Sequence, residues 1–268
     1  MASDLERAVQ WYPGHMVKAM RRIGEYLKSI DVVVEVVDAR VPRSGRNPML
    51  DKLAGSRDRL IVLNREDLAD PHVTRRWVDY DLRRGFEVVP TVGRDQGSVS
   101  RLGAALQRLV KARRGTSRAI VVGLPNSGKS SIINGLIRRA AAKTEDRAGV
   151  TRQLQWFKLS PTLELMDTPG ILVPKIGGGE AQWKLAIVGA VPRERYDAEE
   201  IVAAFHRWTV ATRRDPAPDL ETFAKSRGAV RAGGELDLHN AARSYISAFN
   251  EGAFGRISLE APDDPEVA

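Results

Sequence analysis

One short run carries the most explicit chemistry in this sequence: Gly123-Leu-Pro-Asn126-Ser127-Gly128-Lys129-Ser130. The pattern G-x-x-x-x-G-K-[ST] between a strand and a helix is that of a loop wrapped around a polyphosphate. Glycines let the backbone come close, and amides at the start of the next helix donate to phosphate oxygens. Lys129 supplies a point charge for catalysis and binding, and the Ser130 hydroxyl is a hard oxygen ligand for Mg²⁺. Asn126, Ser127, Gly128 and Ser131 complete the cradle. A turn that merely joined strand to helix would need neither the lysine nor the hydroxyl, so the run predicts nucleoside triphosphate binding.

Two further segments extend the chemistry. Asp167-Thr-Pro-Gly170 lies about 40 residues downstream at the end of an apolar run, where Asp167 can reach the Mg²⁺ shell through water and the Gly170 amide can sense a γ-phosphate. Between them stands Gly149-Val-Thr151-Arg152, whose Thr151 hydroxyl can close onto Mg²⁺. A third segment, Asn64-Arg65-Glu66-Asp67, ends another apolar run. The Asp67 carboxylate can accept from guanine N1–H and N2–H₂, which adenine does not offer, and Asn64 can hold the loop and touch the base edge. Arg65 stands where a lysine is usual, and its stem and guanidinium plane can still cover a base face. Thr91-Val92-Gly93 supplies a loop to back the base.

The elements that must position these residues are legible in the apolar patterning. Runs at Asp31–Asp38, Arg59–Leu63, Glu87–Val92 and Arg118–Gly123 are apolar and β-branched, each followed by a polar turn and a helical pattern, which predicts parallel strands with crossover helices. Gln155–Leu159 and Leu163–Asp167 predict two more strands, joined at Ser160-Pro161. Met16, Met20, Ile23, Leu27 and Ile30 recur at helical spacing. Past residue 180 the strand pattern stops. Asp197 with Glu200 predicts a helix start followed by an Ile201, Ala204, Phe205, Trp208 face, and further helices are expected over Asp219–Arg227 and from Glu235 to about Asn250. The fold class is therefore α/β, a mostly parallel sheet flanked by helices over residues 1–180, then an all-helical domain over 181–260 and a disordered acidic tail over 261–268.

Composition narrows the class. Of 268 residues, 42 are Lys or Arg and 34 are Asp or Glu, a net charge of +8 that favours a polyanionic partner. The absence of cysteine excludes disulfides, thiolate metal sites and thiol catalysis. The N-terminus lacks the basic and apolar regions of a signal peptide, and no apolar run approaches the roughly 18 residues of a membrane span. A cytoplasmic monomer is expected. The charge is uneven: the first 180 residues carry 31 basic and 20 acidic side chains, the remainder 11 and 14. The basic surface thus belongs to the nucleotide-binding half, including Lys18, Arg21 and Arg22.

In an ordinary GTPase the N-x-x-D segment follows the phosphate loop, whereas here it precedes it by about 60 residues. Closing neighbouring chain ends and opening the loop after the Asp167 strand reproduces the observed order on an unchanged sheet. With Trp11-Tyr-Pro-Gly-His15-Met16, Asp38-Ala-Arg40-Val-Pro42-Arg-Ser44, Asn47-Pro48 and Pro174-Lys175 added, the sequence resembles the circularly permuted GTPases of the ribosome biogenesis GTPase A family over residues 11 to about 260. The resemblance implies GTP hydrolysis in large-subunit maturation, with rRNA, ribosomal proteins and the large-subunit precursor as partners. It also implies that Ile171, which stands where many GTPases carry a water-orienting glutamine, leaves that task to His15. Asn126 matches the asparagine with which potassium-using relatives hold K⁺ beside the phosphates. A GTPase acting in tRNA modification, a nucleotide-tuned RNA-binding module without hydrolysis, and a metabolic kinase are the competing readings.

Overall fold

The computed structural model describes residues 27, 29–47, 50, 54–111, 115–144, 156–167, 179–213, 215–231 and 233–264. Six strands form one sheet in the order β3-β2-β1-β4-β6-β5: β1 (Val32–Asp38), β2 (Asp58–Asn64), β3 (Glu87–Thr91), β4 (Ser117–Val122), β5 (Trp156–Ser160) and β6 (Leu163–Asp167). All pairings are parallel except β5 with β6, which form an antiparallel hairpin at the edge. The central strand β1 is buried at all seven positions, which is why VVVEVVD reads as a continuous apolar run rather than an alternating one.

The two-residue period nonetheless divides its side chains between faces. Val32, Val34 and Val36 pack under Val99, Leu102 and Leu106 of α2 (Gln96–Lys111) and Ile132, Ile133 and Leu136 of α3 (Lys129–Thr144). Val33 faces the other way, with Leu27, Ile30 and Ile120. Val37 on that side joins Trp77 of α1 (Pro71–Arg83), whose first turn is capped by the Asp70 carboxylate accepting from His72 and Val73 amides. Leu27 and Ile30, the end of the expected apolar stripe, thus reach the core; Met16, Met20 and Ile23 lie outside the described residues.

Helices α4 (Glu180–Ile187), α5 (Ala198–Thr212), α6 (Leu220–Ser226) and α7 (Leu238–Asn250) follow the sheet. Asp197 caps α5 through the Glu199 and Glu200 amides, and Asp219 and Asp237 cap the next two. Aromatic rings join them: Phe205 packs against Phe249 at 4.9 Å, and Tyr245 against Phe254 at 4.6 Å. This core is shared with the sheet half, because Val41 and Leu124 are part of it. Leu124 lies in the phosphate loop itself.

The C-terminal segment departs from the sequence expectation. Residues 261–264, expected within a disordered acidic tail, are tied to the sheet half. Ile257 N–H donates to the Leu68 carbonyl and Leu259 N–H to that of Arg40. The buried Glu260 carboxylate accepts from the Arg43 amide at 2.7 Å, the Ser44 amide at 3.1 Å and the Ser44 hydroxyl. Arg43 Nη2 in turn donates to the Ala261 and Pro262 carbonyls, and Arg76 pairs with Asp263. Of the acids that suggested a solvated tail, Asp263 pairs with Arg76 and Asp264 accepts from the Ala261 amide, and Ile257 and Leu259 just before them are buried. Positions 265–268 lie outside the described residues.

Candidate nucleotide site

The parallel strands β1, β2, β3, β4 and β6 all end at one edge of the sheet. Register places Asp38 beside Asn64 and Asn64 beside Thr91, a row across three neighbouring strands. From β1 the chain turns outward to β2, and from β4 it turns the other way to β6. Adjacent strands that send their connections in opposite directions open a crevice at their carboxyl ends, the usual ligand position of a doubly wound sheet. The phosphate loop leaves β4 into this crevice.

Two glycines are required there by geometry. At Gly123 (φ 156°) a Cβ would lie 2.3 Å from the Val36 carbonyl oxygen, and at Gly128 (φ 93°) 2.1 Å from Asn64 Nδ2. The second contact explains itself: Asn64 Nδ2 donates to the Ser127 carbonyl at 2.8 Å, while its Oδ1 accepts from the Gly93 amide at 3.0 Å. Asn64 is buried and joins the base-reading segment, the phosphate loop and the base-backing loop with one carboxamide. The three segments that sequence order scatters are therefore brought to one place.

Lys129 opens α3. Its Nζ donates to the Leu124 carbonyl at 2.7 Å and it is 7% exposed. Burial pushes its pKa down to about 8, with the Asp167 carboxylate pulling the other way. The next residues, Ser130 and Ser131, expose their side chains at the helix start, and the Ser127 hydroxyl is buried with no hydrogen-bond partner. An unsatisfied buried hydroxyl inside a phosphate cradle fits a site made to receive further oxygen atoms. Exposed Ser130 together with the carboxylate of Asp167 at the end of β6 is a hard oxygen donor set that suits Mg²⁺.

Asp67 sits exposed in the 3₁₀ turn Glu66–Leu68 that follows β2. Arg65, which begins that turn, is held by protein groups. Its Nη2 donates to the Asn126 carbonyl at 3.0 Å, its Nη1 to Asn250 Oδ1 at 3.3 Å, and it lies 3.7 Å from Asp38. Asn126 turns its Nδ2 to the Gly189 carbonyl at 2.7 Å. Thr91 is fully buried, with its hydroxyl on the Val89 carbonyl, so Gly93 rather than Thr91 makes the contact to Asn64. His15, Thr151 and Gly170 lie outside the described residues, as does Ile171.

Sequence reasoning missed the ion pair at the end of β1. Arg40 binds Asp38 through Nε at 2.9 Å and Nη2 at 2.8 Å, both side chains being buried. Burial alone would raise the Asp38 carboxyl, but Arg40 and, more weakly, Arg65 outweigh it and hold it below the usual carboxylate range. Arg40 also donates to Asn250 Oδ1 at 2.9 Å. The segment from Asp38 to Ser44 is thus the dock for the C-terminal helices and the Glu260 segment. The segment stood out in the sequence through the family resemblance alone, and no local spacing rule connects it to residues 250 and 260.

Among the described residues, no group of His, Asp or Glu is arranged to hold a metal by itself, and no helix is long and apolar enough to cross a membrane. Residues 118–209 match a family model described as 50S ribosome-binding GTPase. Ribosome biogenesis GTPase A of Bacillus cereus is 35% identical, over 96% of this chain and 95% of its own length. Ribosome biogenesis GTPase A of Thermotoga maritima is 33% identical, over 96% and 95%. Among solved structures, GNP-bound YlqF from T. maritima aligns with a TM-score of 0.74 and 31% identity, covering 92% of this chain and all of that one.

Proposed function

Because the chain belongs to the ribosome biogenesis GTPase A family, a family of GTPases with a circularly permuted domain, we propose that it binds and hydrolyses GTP while serving assembly of the large ribosomal subunit. The observation that carries this reading is the bond from Asn64 to the Ser127 carbonyl, between residues 63 positions apart in the chain. It joins a guanine-type segment to a phosphate loop that follows it in the chain, as a permuted order requires.

In this reading Asp67 accepts from the guanine edge, while Lys129 leaves the Leu124 carbonyl to meet the β- and γ-phosphates. Ser127, Gly128, Ser130 and Ser131 line the phosphates. Ser130, Thr151 and, through water, Asp167 hold Mg²⁺, which neutralises charge on the β- and γ-oxygens when bound. Gly170 senses the γ-phosphate. His15 orients the attacking water that Ile171 has no group to hold, and Asn126 offers its carboxamide oxygen to K⁺. The Asp167 segment leads directly to the helices after residue 179, so loss of the γ-phosphate shifts them and releases the particle.

The basic excess of the first 180 residues supports contact with rRNA, which makes binding to pre-ribosomal particles steeply salt-dependent. The protein acts in the cytoplasm as a monomer. One experiment tests the reading: GTP turnover by wild type and His15→Ala, with and without purified large subunits, in K⁺ and in Na⁺ buffer. Stimulation by subunits, greater in K⁺ and lost in His15→Ala, is expected. Absence of stimulation in either salt refutes the assembly role, and a fully active His15→Ala refutes the residue assignment.

A further inference from the structure

Among the described residues only two that are not glycine hold a positive φ, Arg65 at 59° and Asn126 at 57°. Such backbone persists only where surrounding contacts determine it. The two are bonded to each other, Arg65 Nη2 to the Asn126 carbonyl, and one belongs to the base segment, the other to the phosphate loop. Both are also held from the C-terminal helices. Asn126 Nδ2 reaches the Gly189 carbonyl just after α4, and Arg65 Nη1 reaches Asn250 at the end of α7.

Asn250 closes this ring. Its Oδ1 accepts from Arg40 Nη2 at 2.9 Å and Arg65 Nη1 at 3.3 Å. Its Nδ2 donates to the Ile187 carbonyl at 2.7 Å and the Ile246 carbonyl at 2.8 Å. All four hydrogen-bonding positions of one carboxamide are used. An aspartate would keep the two arginines and lose the two carbonyls; an alanine loses everything. The path therefore runs from α4, through Asn250, to the guanidinium whose residue begins the turn carrying Asp67.

We infer that Asn250 is a positioning residue for guanine nucleotide, through which the C-terminal helices set the base segment and the phosphate loop together. The inference rests on the guanine-site reading above. Coupling along this path touches the base and the loop, not the γ-phosphate, so it acts on GDP and GTP alike. It is reciprocal: whatever displaces the C-terminal helices loosens nucleotide by the same factor by which nucleotide holds the helices in place. A partner that grips those helices then acts as an exchange trigger, separate from any effect on hydrolysis.

The test uses the isolated full-length protein, without ribosomal particles, so its outcome is independent of the assembly role. Binding of fluorescent GDP and of a fluorescent non-hydrolysable GTP analogue is measured for wild type, Asn250→Ala, Asn250→Asp and Tyr245→Phe. Tyr245 donates from its hydroxyl to the Pro218 carbonyl inside the helical core, away from the ring, so its variant reports general destabilisation. Asn250→Ala is expected to weaken both nucleotides by a common factor of about 5 to 20, within the range of coupling between linked sites, and to raise KM with kcat unchanged. Asn250→Asp, which keeps the arginines but sets a carboxylate oxygen against the Ile187 and Ile246 carbonyls, should also weaken both nucleotides, and Tyr245→Phe should lower Tm without changing either affinity.

Unchanged affinities in Asn250→Ala, or a loss confined to the GTP analogue, overturn the inference. Failure of wild type and of every variant to bind either guanine nucleotide would instead overturn the underlying site reading. If Asn250→Ala does not fold, hydrogen exchange of the wild type decides. GDP should slow exchange in peptides spanning 186–195 and 246–252 more than in 220–231, and equal protection of all three would refute the coupling.

Discussion

Lys129 gives the sharpest quantitative prediction, because its charge is unfavourable in the empty site and required in the filled one. Burial sets its pKa at about 8 without nucleotide. A phosphate brought against Nζ stabilises the ammonium and returns the pKa to its ordinary value of about 10.4 or above. Binding then takes up one proton for every molecule whose lysine is neutral. At pH 7.5 about a quarter are; at pH 8.5 about three-quarters are, so the Kd for GDP should rise about threefold, about 0.7 kcal/mol, between the two. At pH 8, calorimetry in buffers of different ionisation enthalpy should register about half a proton taken up per GDP bound. Starting at pH 7.5 keeps the terminal phosphate of GDP, whose second pKa is about 6, almost fully ionised, and stopping at pH 8.5 keeps the guanine base protonated, so neither group contributes. Lys129→Met binds more weakly but with no such slope. A flat wild-type profile from pH 7.5 to 8.5, or a slope that survives in Lys129→Met, refutes the assignment of Lys129 as the phosphate ligand.

The same residue links function to stability. Its folded pKa of about 8 lies below the 10.5 of an exposed lysine, so the empty protein gains stability as pH rises from about 8 towards 10.5. Lys129→Met should therefore stabilise the empty protein at pH 7 by up to about 3 kcal/mol in urea melts, an advantage that shrinks towards pH 10. Gly128→Ala places a methyl against Asn64; it should abolish nucleotide binding and lower the melting temperature well below that of Gly85→Ala. Gly85 has φ 83° with open space around it, so its substitution carries only the backbone cost of about 1–2 kcal/mol. Glu260→Ala removes the acceptor of the Arg43 and Ser44 amides and should cost about 2–4 kcal/mol by denaturant titration. Asp67→Asn exchanges an acceptor for a donor and should transfer preference from GTP to xanthosine triphosphate, read in parallel binding titrations; unchanged preference would refute the base assignment.

What the sequence determined by itself is the set of local chemistries and the elements beneath them. The phosphate loop, the N-x-x-D segment and the six strands are legible because each depends on neighbours a few residues away: glycine for close approach, β-branched runs for buried strands, Asp197 and Asp219 for helix starts. Permuted order was legible too, since it is a property of order alone. Tertiary structure decided which groups meet. Asn64 clamps Ser127 and Gly93 because β2 and β4 flank β1. Arg65 meets Asn126 and Asn250, which lie 61 and 185 positions away in the chain. The C-terminal segment is tied down because Arg43 and Ser44 hold Glu260 and Arg76 pairs with Asp263 from the sheet half. Burial of Lys129, and with it the lowered pKa, exists only once the loop folds back so that its Nζ reaches the Leu124 carbonyl. Long-range contacts of this kind leave no periodic trace in sequence, because their energy comes from desolvation and geometry that exist only in the assembled fold.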